Sequence, residues 1–264
     1  MDLTRYLLFT SLVKHGGMLR YLFASQVRKR LLEQYQLRRQ VKSSALTGNP
    51  DRLFELYYIN KLDEGEAEKT FERLRDDPSF VASQQVIDDV RITEDERIHD
   101  LIIPPAIVGL SQMPYLTESK SQRACSQAVA EAPYLLHVTC TLHEKENLTQ
   151  FNKSMSVLIK EFERAGLSLV VAGQRTCKLE LPADPKQKVK LSEIAEKEEQ
   201  RVEIINIWEF DNPDNIKRLM MRHAESQAYA ELDEICDQEQ HFCRNVSRHY
   251  QRYPLLGGNP LSIT

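Results

Sequence analysis

The chain has 264 residues, of which 41% are hydrophobic and 28% charged, so it can bury a sizeable core in one large domain or two small ones. Its formal net charge of −4 and its pI near 6.0 argue against nucleic acid as the main partner. No apolar run approaches the roughly 20 residues that span a bilayer, so we expect no membrane partner.

Cysteine usage and the first residues both indicate a cytoplasmic protein. The start is acidic ahead of its apolar stretch and has no small-residue cleavage site, unlike a secretory signal. The cysteines are scattered without a C-x-x-C pair, which is typical of reduced thiols. They are Cys125, Cys140, Cys177, Cys236 and Cys243.

The first half predicts strands and helices in the order strand, helix, strand, strand, helix, closing strand. Alternating apolar residues mark the strands, and apolar residues at i, i+3 and i+4 mark the helices. The predicted elements are strand 6–13, helix 16–37, strands 38–46 and 52–62 around the turn "TGNPD", helix 63–77, and 79–92 as a helical continuation or a closing strand.

The second half repeats that order, with a charged insertion between its two central strands. A helix ends at Gly166, because glycine tolerates the left-handed backbone that closes many helices. The predicted elements are strand 134–142, helix 147–166, strand 167–177, insertion 186–200, strand 202–210, a helical stretch 211–238 and a closing strand within 241–250.

Both halves therefore predict the β-α-β-β-α-β order of ferredoxin-like units. "RYLLFTSLVKHGG" and "PYLLHVTCTLHEK" resemble each other, and aligning their Tyr-Leu-Leu pairs Phe9 with His137 and His15 with His143. We predict a tandem duplication. Its parts are a first unit at 1–103, a linker with a short helix at 104–132, a second unit at 133–250 and a C-terminal arm at 251–264.

This duplicated order, with the "IWEF" strand running into a helix, resembles the dimeric α+β barrel superfamily, which includes NIPSNAP-like proteins and antibiotic-biosynthesis-type monooxygenases. The resemblance covers about two-thirds of the chain and implies an α+β fold in which two tandem ferredoxin-like units form an intrachain barrel. It also implies a pocket within the barrel or between a sheet and its helices. Pairing into a homo-oligomer fits the resemblance, although a tandem chain can satisfy both sheets internally.

The strand 134–142 and the residue after it carry the first group of candidate site residues. One face is polar for a buried strand and holds His137, Thr139, Thr141 and His143. Phe9 and His15 fall on the corresponding face of the first half in the alignment above. Since a partly buried imidazole titrates near neutral pH, His137 is a candidate general base and the others are candidate substrate-binding groups. The alternative is a histidine whose nitrogens are satisfied in a packed interior.

The strand 202–210 carries the second group. Asn206 could hold an oxyanion or a peroxy intermediate, and Trp208 could flank a planar substrate or simply fill the core. Tyr58 matches Asn206 in the aligned register, and a one-residue slip would select Tyr57 instead.

A haem site and an RNA-binding surface are two further possibilities. Some relatives bind or degrade haem, and Asn206, Trp208 and His223 supply the residue types, with His241 or His137 as an axial ligand. No local motif requires haem, so we expect no cofactor, with haem as the alternative. The basic run 28–42 could contact RNA phosphates, but the sequence has no RNP-like segment with stacking aromatic residues, which favours a solvated or ion-paired face.

Local signatures of other sites are missing. There is no G-x-G-x-x-G, G-x-x-x-x-G-K-[ST] or G-x-S-x-G, and no H-E-x-x-H for zinc. We hypothesise an oxygenase, cyclase or isomerase that acts on a small hydrophobic or aromatic molecule without a nucleotide cofactor. The alternatives are a non-catalytic ligand-binding or interaction protein, favoured by a tightly filled interior, and a haem-binding or haem-degrading protein.

Overall fold

A computed structural model describes residues 4–47, 52–59, 70, 73–74, 76–92, 107–119, 130–178 and 202–246. The strands within these ranges are β1 Thr4–Leu12, β2 Leu37–Ala45, β3 Arg52–Ile59, β4 Ile107–Gln112, β5 Tyr134–Leu142, β6 Ser168–Lys178, β7 Glu203–Phe210 and β8 Cys236–Asn245. The α-helices are α1 Met18–Gln34, α2 Pro78–Val90, α3 Leu148–Ala165, α4 Asp214–His223 and α5 Gln227–Ile235.

The eight strands form one closed antiparallel barrel in the order β1-β3-β2-β8-β5-β7-β6-β4. The first half contributes β4-β1-β3-β2 and the second half β8-β5-β7-β6, so each half has the ferredoxin-like strand order. Pairing of β2 with β8 and of β4 with β6 joins the halves. The predicted fold class is confirmed. The duplication itself stays a prediction.

Side chains on the inner face of the barrel fill it. An eight-stranded barrel is just wide enough for side chains to occupy its interior. The residues that meet there come from strands of both halves and include Tyr6, Leu8, Val41, Phe54, Leu56, Leu135, Ile205, Ile207 and Cys243.

Helices cover the outer face of each half, α1 and α2 over the first and α3 to α5 over the second. The end of α3 needs its glycine: Gly166 has φ +90°, and a Cβ there would lie 2.7 Å from Nδ2 of Asn215, which donates to the Gly166 carbonyl. Ser226 caps α5 by accepting from the Tyr229 amide. Of the helices described, none is long and apolar enough to cross a bilayer.

Several elements differ from their predictions. The closing strand of the first half is β4, inside the range predicted as a linker, because flanking prolines obscured a strand of only six residues. The stretch 79–92 is mostly helix α2, capped by Asp77 with Pro78 in its first turn. The predicted helix 211–238 is two helices, because Ser226 begins a new one. Most of 63–77 and of the predicted linker helix, the insertion 186–200 and the C-terminal arm lie outside the described residues.

The predicted match between β1 and β5 is offset by one residue. Tyr6 and Leu8 belong to the interior cluster, whereas Phe9 packs on the outer face against residues of α1 and α2. Leu135 shares the interior with Tyr6. Because side chains alternate along a strand, the offset moves Phe9 to the face opposite that of His137.

The outer face of the first half carries a buried ion cluster centred on Glu55. Its carboxylate lies 2.8 Å from Nζ of Lys42 and 3.3 Å from Nη2 of Arg28, and Tyr57 donates to it at 3.0 Å. Burial alone would raise the pKa of Glu55, but Lys42 and Arg28 outweigh burial and hold that pKa well below its usual value. Arg28 and Lys42, from the basic run, are therefore interior ion-pair partners.

Replacing Glu55 by Gln should destabilise the protein by about 3–5 kcal/mol, because two buried cations lose their counter-charge. Urea unfolding followed by circular dichroism measures this loss. Asp89→Asn is the matched control: it breaks an exposed 3.3 Å pair with Arg20 and should cost less than about 1 kcal/mol. Equal losses in the two variants would show that the cluster contributes nothing beyond a surface pair.

Candidate functional site

A small cavity lies in the second half, between the outer face of the sheet and the covering helices. It provides about 20 Å³ for water, roughly the room for one molecule. None of the side chains around it is acidic, lysine or arginine. The residues that line it are Leu136, Val138, Cys140, Met155, Leu158, Phe162, Asn206, Trp208, His223, Tyr229, Leu232, Gln238 and Gln240.

The Asn206 amide is the fixed polar group of this cavity. Asn206 is 1% exposed, and its Oδ1 accepts a 2.7 Å hydrogen bond from the hydroxyl of Tyr115, on the short 3₁₀ helix Pro114–Glu118. Burial raises the pKa of Tyr115 well above its usual value, so the hydroxyl keeps its proton and donates. Asn206 also lines the cavity, so its amide nitrogen can donate to a molecule there.

Aromatic rings form one wall. Trp208 stacks on Phe162 with ring centroids 4.1 Å apart, and Phe162 lies 5.2 Å from the ring of His223. His223 in turn stacks on Tyr229 at 3.8 Å. The row runs from the buried sheet to the two short helices, so it gives a planar ligand flat surfaces to contact.

His223, the last residue of α4, is the histidine that lines the cavity. Its Nε2 is buried and has no hydrogen-bond partner in the part of the chain that the structure describes. Burial lowers the pKa of His223 to about 4, so the ring is neutral at pH 7. A neutral imidazole nitrogen without a partner can accept a proton or a hydrogen bond.

The structure brings Asn206 and Trp208 together, but it places His137 and Tyr58 on the inner face of the barrel. His137 is 2% exposed, its Nε2 lies 3.0 Å from Oγ of Ser43, and its ring lies 4.6 Å from that of Phe54. Burial, and then His241, lower the pKa of His137 to about 3. His137 thus has the geometry of the packed-interior alternative. Tyr58 packs edge-on against Tyr6 at 5.4 Å.

The remaining predicted site residues also lie away from the cavity. Thr139 and Thr141 pair with Glu239 and Asp237 on β8, and alternation puts them on the same inner face as His137. His15 is exposed in the turn before α1. His143 is exposed after β5, with its ring nitrogens near the Glu234 carbonyl and the Asp237 carboxylate.

Sequence reasoning missed Tyr115, Phe162 and Tyr229 and considered His223 only as a companion of haem. Phe162 and His223 carried a usable signal, since each lies on a helix expected to cover the sheet. Tyr115 carried none, because it follows a strand that was not predicted. Among the described residues, no group of three His, Cys, Asp or Glu side chains could hold a metal ion.

Solved structures share this fold over nearly the whole chain. A candidate monooxygenase from Lactobacillus acidophilus has a TM-score of 0.50 and 7% identity, covering 92% of this chain and 94% of that one. A candidate monooxygenase from Fusobacterium nucleatum has a TM-score of 0.48 and 10% identity, covering 94% of each chain. A haem-binding protein from Thermus thermophilus has a TM-score of 0.46 and 9% identity, covering 94% of each chain. No protein-family model matches the sequence, and neither does any curated protein. At such identities the likeness shows the fold alone.

The ring of His223 should titrate with a midpoint near pH 4, measured by proton NMR of the histidine Cε1–H signals and assigned with His223→Gln. Because the folded-state pKa lies below the ordinary value near 6.5, the unfolded chain takes up this proton first as the pH falls. Titration of His223 should therefore lower the free energy of unfolding as the pH falls from about 6.5 to about 4. A midpoint at the ordinary value would contradict the buried, neutral ring.

Proposed function

We propose that the chain is a small-molecule enzyme of the α+β barrel type, acting at the helix-covered cavity on a neutral hydrophobic or aromatic molecule without a nucleotide cofactor. The observation that carries the proposal is that His223, whose neutral Nε2 has no hydrogen-bond partner in the described residues, and the fixed Asn206 amide line the same mostly apolar cavity. Ligand sites combine apolar surface with a few placed polar groups in this way. The fold shared with a candidate monooxygenase is compatible with it.

Proton transfer is the chemistry that these groups support. Nε2 of His223 would take a proton from a carbon next to a carbonyl, or from a phenolic hydroxyl. The Asn206 amide would donate to the substrate oxygen on which negative charge collects, and Tyr115 holds that amide in place beforehand. Trp208 and Phe162 would contact the substrate ring. Isomerisation and cyclisation both proceed through such an anion, and oxygenation does so with dioxygen as co-reactant.

The size of the cavity requires movement before a substrate binds. About 20 Å³ admits water, so a ring must displace side chains at the rim. Gln240 and Tyr229 lie there, joined by a 3.4 Å hydrogen bond that is exposed to solvent. We infer that these two side chains move when a ligand enters.

A second candidate is a non-catalytic small-ligand binding or interaction protein. It is favoured by the packed barrel interior and by the small volume of the cavity. In that case the same groups would orient a ligand without moving a proton.

Haem does not fit the described residues in this conformation. The cavity admits water but no macrocycle, and its His223 is stacked on Tyr229. The other ligands considered face elsewhere: His241 contacts Arg52 and Glu239, each at 2.8 Å, and His137 contacts Ser43.

The test uses the single tryptophan, whose emission reports on the cavity wall. The probes are 2-naphthol and the enolisable ketones 1-indanone and 1-tetralone, with deuterium uptake at the carbon next to the ketone followed by NMR in heavy water. We expect saturable quenching and catalysed exchange, with exchange lowered about 100-fold or more in His223→Gln.

His143→Gln, the same change at an exposed histidine, should leave quenching and exchange unaltered. Quenching without exchange would overturn catalysis and support the binding candidate. Neither quenching nor exchange would overturn both. A Soret band on adding haemin, lost in His223→Ala, would instead favour haem.

A further inference from the structure

Two thiols lie together beside the cavity, and the proposed function does not use them. Cys140, on β5, lines the cavity, and Cys236 is the first residue of β8, directly after α5. Both are free and buried, with 2% and 3% of their surface exposed. In the pairing of β5 with β8, Cys140 lies opposite Gln238 and Leu142 opposite Cys236. The two cysteines are therefore diagonal neighbours on the outer face.

The two thiols also interact with each other, and that interaction raises the pKa of Cys140 and lowers the pKa of Cys236. Access through the cavity assigns the first reaction to Cys140, which lines it, whereas Cys236 does not line it and its Sγ donates to the Leu232 carbonyl at 3.3 Å. Cys236 is the neighbour that resolves the oxidised Cys140.

Cys243 provides an internal contrast. It lies in the barrel interior with none of its surface exposed, and burial raises the pKa of its thiol to about 12. The cavity reaches Cys140 but not Cys243. Access through the cavity therefore separates Cys140 from Cys243.

We propose that Cys140 and Cys236 form a thiol-oxidation site, at which hydrogen peroxide or an oxidant of similar size enters the cavity and converts the pair to a disulfide. A cavity with room for about one water admits peroxide but excludes bulky disulfide reagents.

The reaction balances in two steps. The Cys140 sulfur attacks one peroxide oxygen, forming an S–O bond as the O–O bond breaks, and the departing hydroxide takes the thiol proton and leaves as water. The Cys236 sulfur then attacks the sulfenic sulfur, forming the S–S bond, and the S–O bond breaks with loss of a second water. Two thiols and one peroxide give one disulfide and two waters.

The disulfide would change the cavity. Diagonal neighbours in a sheet have Cα atoms about 7–8 Å apart, whereas a disulfide spans at most about 6.8 Å. Closing the bond therefore draws the start of β8 towards β5. The end of α5 precedes Cys236 directly and carries Leu232, which lines the cavity. Oxidation would then move this wall, and any effect on ligand binding rests on the proposed function.

Peptide mapping of the whole protein tests the site itself without any ligand. Cleavage after glutamate separates the three thiols, because 132–144 contains only Cys140, 235–239 only Cys236 and the peptide from 240 only Cys243. After peroxide treatment we expect 132–144 joined to 235–239, with a mass two hydrogens below their sum. Cys243 should be oxidised at least roughly tenfold more slowly.

Variants assign the roles of the two sulfurs. Cys236→Ser should trap a sulfenic acid on Cys140, labelled by dimedone, whereas Cys140→Ser should leave Cys236 unlabelled. Cys243→Ser, the matched control, should still form the linked peptide. The disulfide reagent 5,5′-dithiobis(2-nitrobenzoate) should react with neither thiol in the folded wild-type protein.

Three results would overturn the proposal: no linked peptide in the wild-type protein, equal oxidation of Cys243, or equally fast reaction with the bulky reagent. The wild-type map decides the question even where a serine variant fails to fold. Because no ligand is added, a failure here leaves the ligand and exchange experiments untouched, and the reverse also holds.

Discussion

Closure of the antiparallel sheet is the constraint on which the rest of this structure depends. Once β2 pairs with β8 and β4 with β6, alternation gives each strand one face towards the barrel interior and one towards the outside. Eight strands enclose only enough space for their own side chains. A histidine on the inner face, such as His137, therefore becomes a packed core residue between Ser43 and Phe54. Among the described residues, the cavity lies in the layer between sheet and helices.

The two halves fill that layer differently, and one strand position accounts for much of the difference. Glu55 is the fourth residue of β3 and Asn206 the fourth of β7, each on the outer face. Glu55 lies opposite Lys42 in the sheet, whereas Asn206 lies opposite Ala172. A buried carboxylate needs cations and donors packed closely around it. A buried amide needs only a hydrogen bond, which Tyr115 supplies to Asn206.

Much of the fold could be predicted from the sequence, because alternation along β5 and β7 and helical spacing along α3 are local signals. The register between the halves could not. Matching Tyr6 with Tyr134 put Phe9 on the same face as His137, whereas the structure puts them on opposite faces. The separate match of Tyr58 with Asn206 likewise paired an inner-face residue with an outer-face one. The sequence predicted only part of the candidate site. Asn206 and Trp208 share a strand and could be found together, whereas Phe162, His223 and Tyr229 reach them only through the packing of three helices.

That packing also sets how the cavity can open. A hydrogen bond from Asn215 holds the start of α4 against the end of α3, and Ser226 caps the start of α5. The turn between α4 and α5 is therefore the hinge about which these two covering helices can move. His223 and Tyr229 lie on either side of it and stack across it. Such a ring pair contributes about 0.5–1.5 kcal/mol, well below the roughly 5–15 kcal/mol that holds a domain folded. Separating the two rings is therefore accessible without unfolding, and the movement that widens the cavity also uncovers the Nε2 that has no partner.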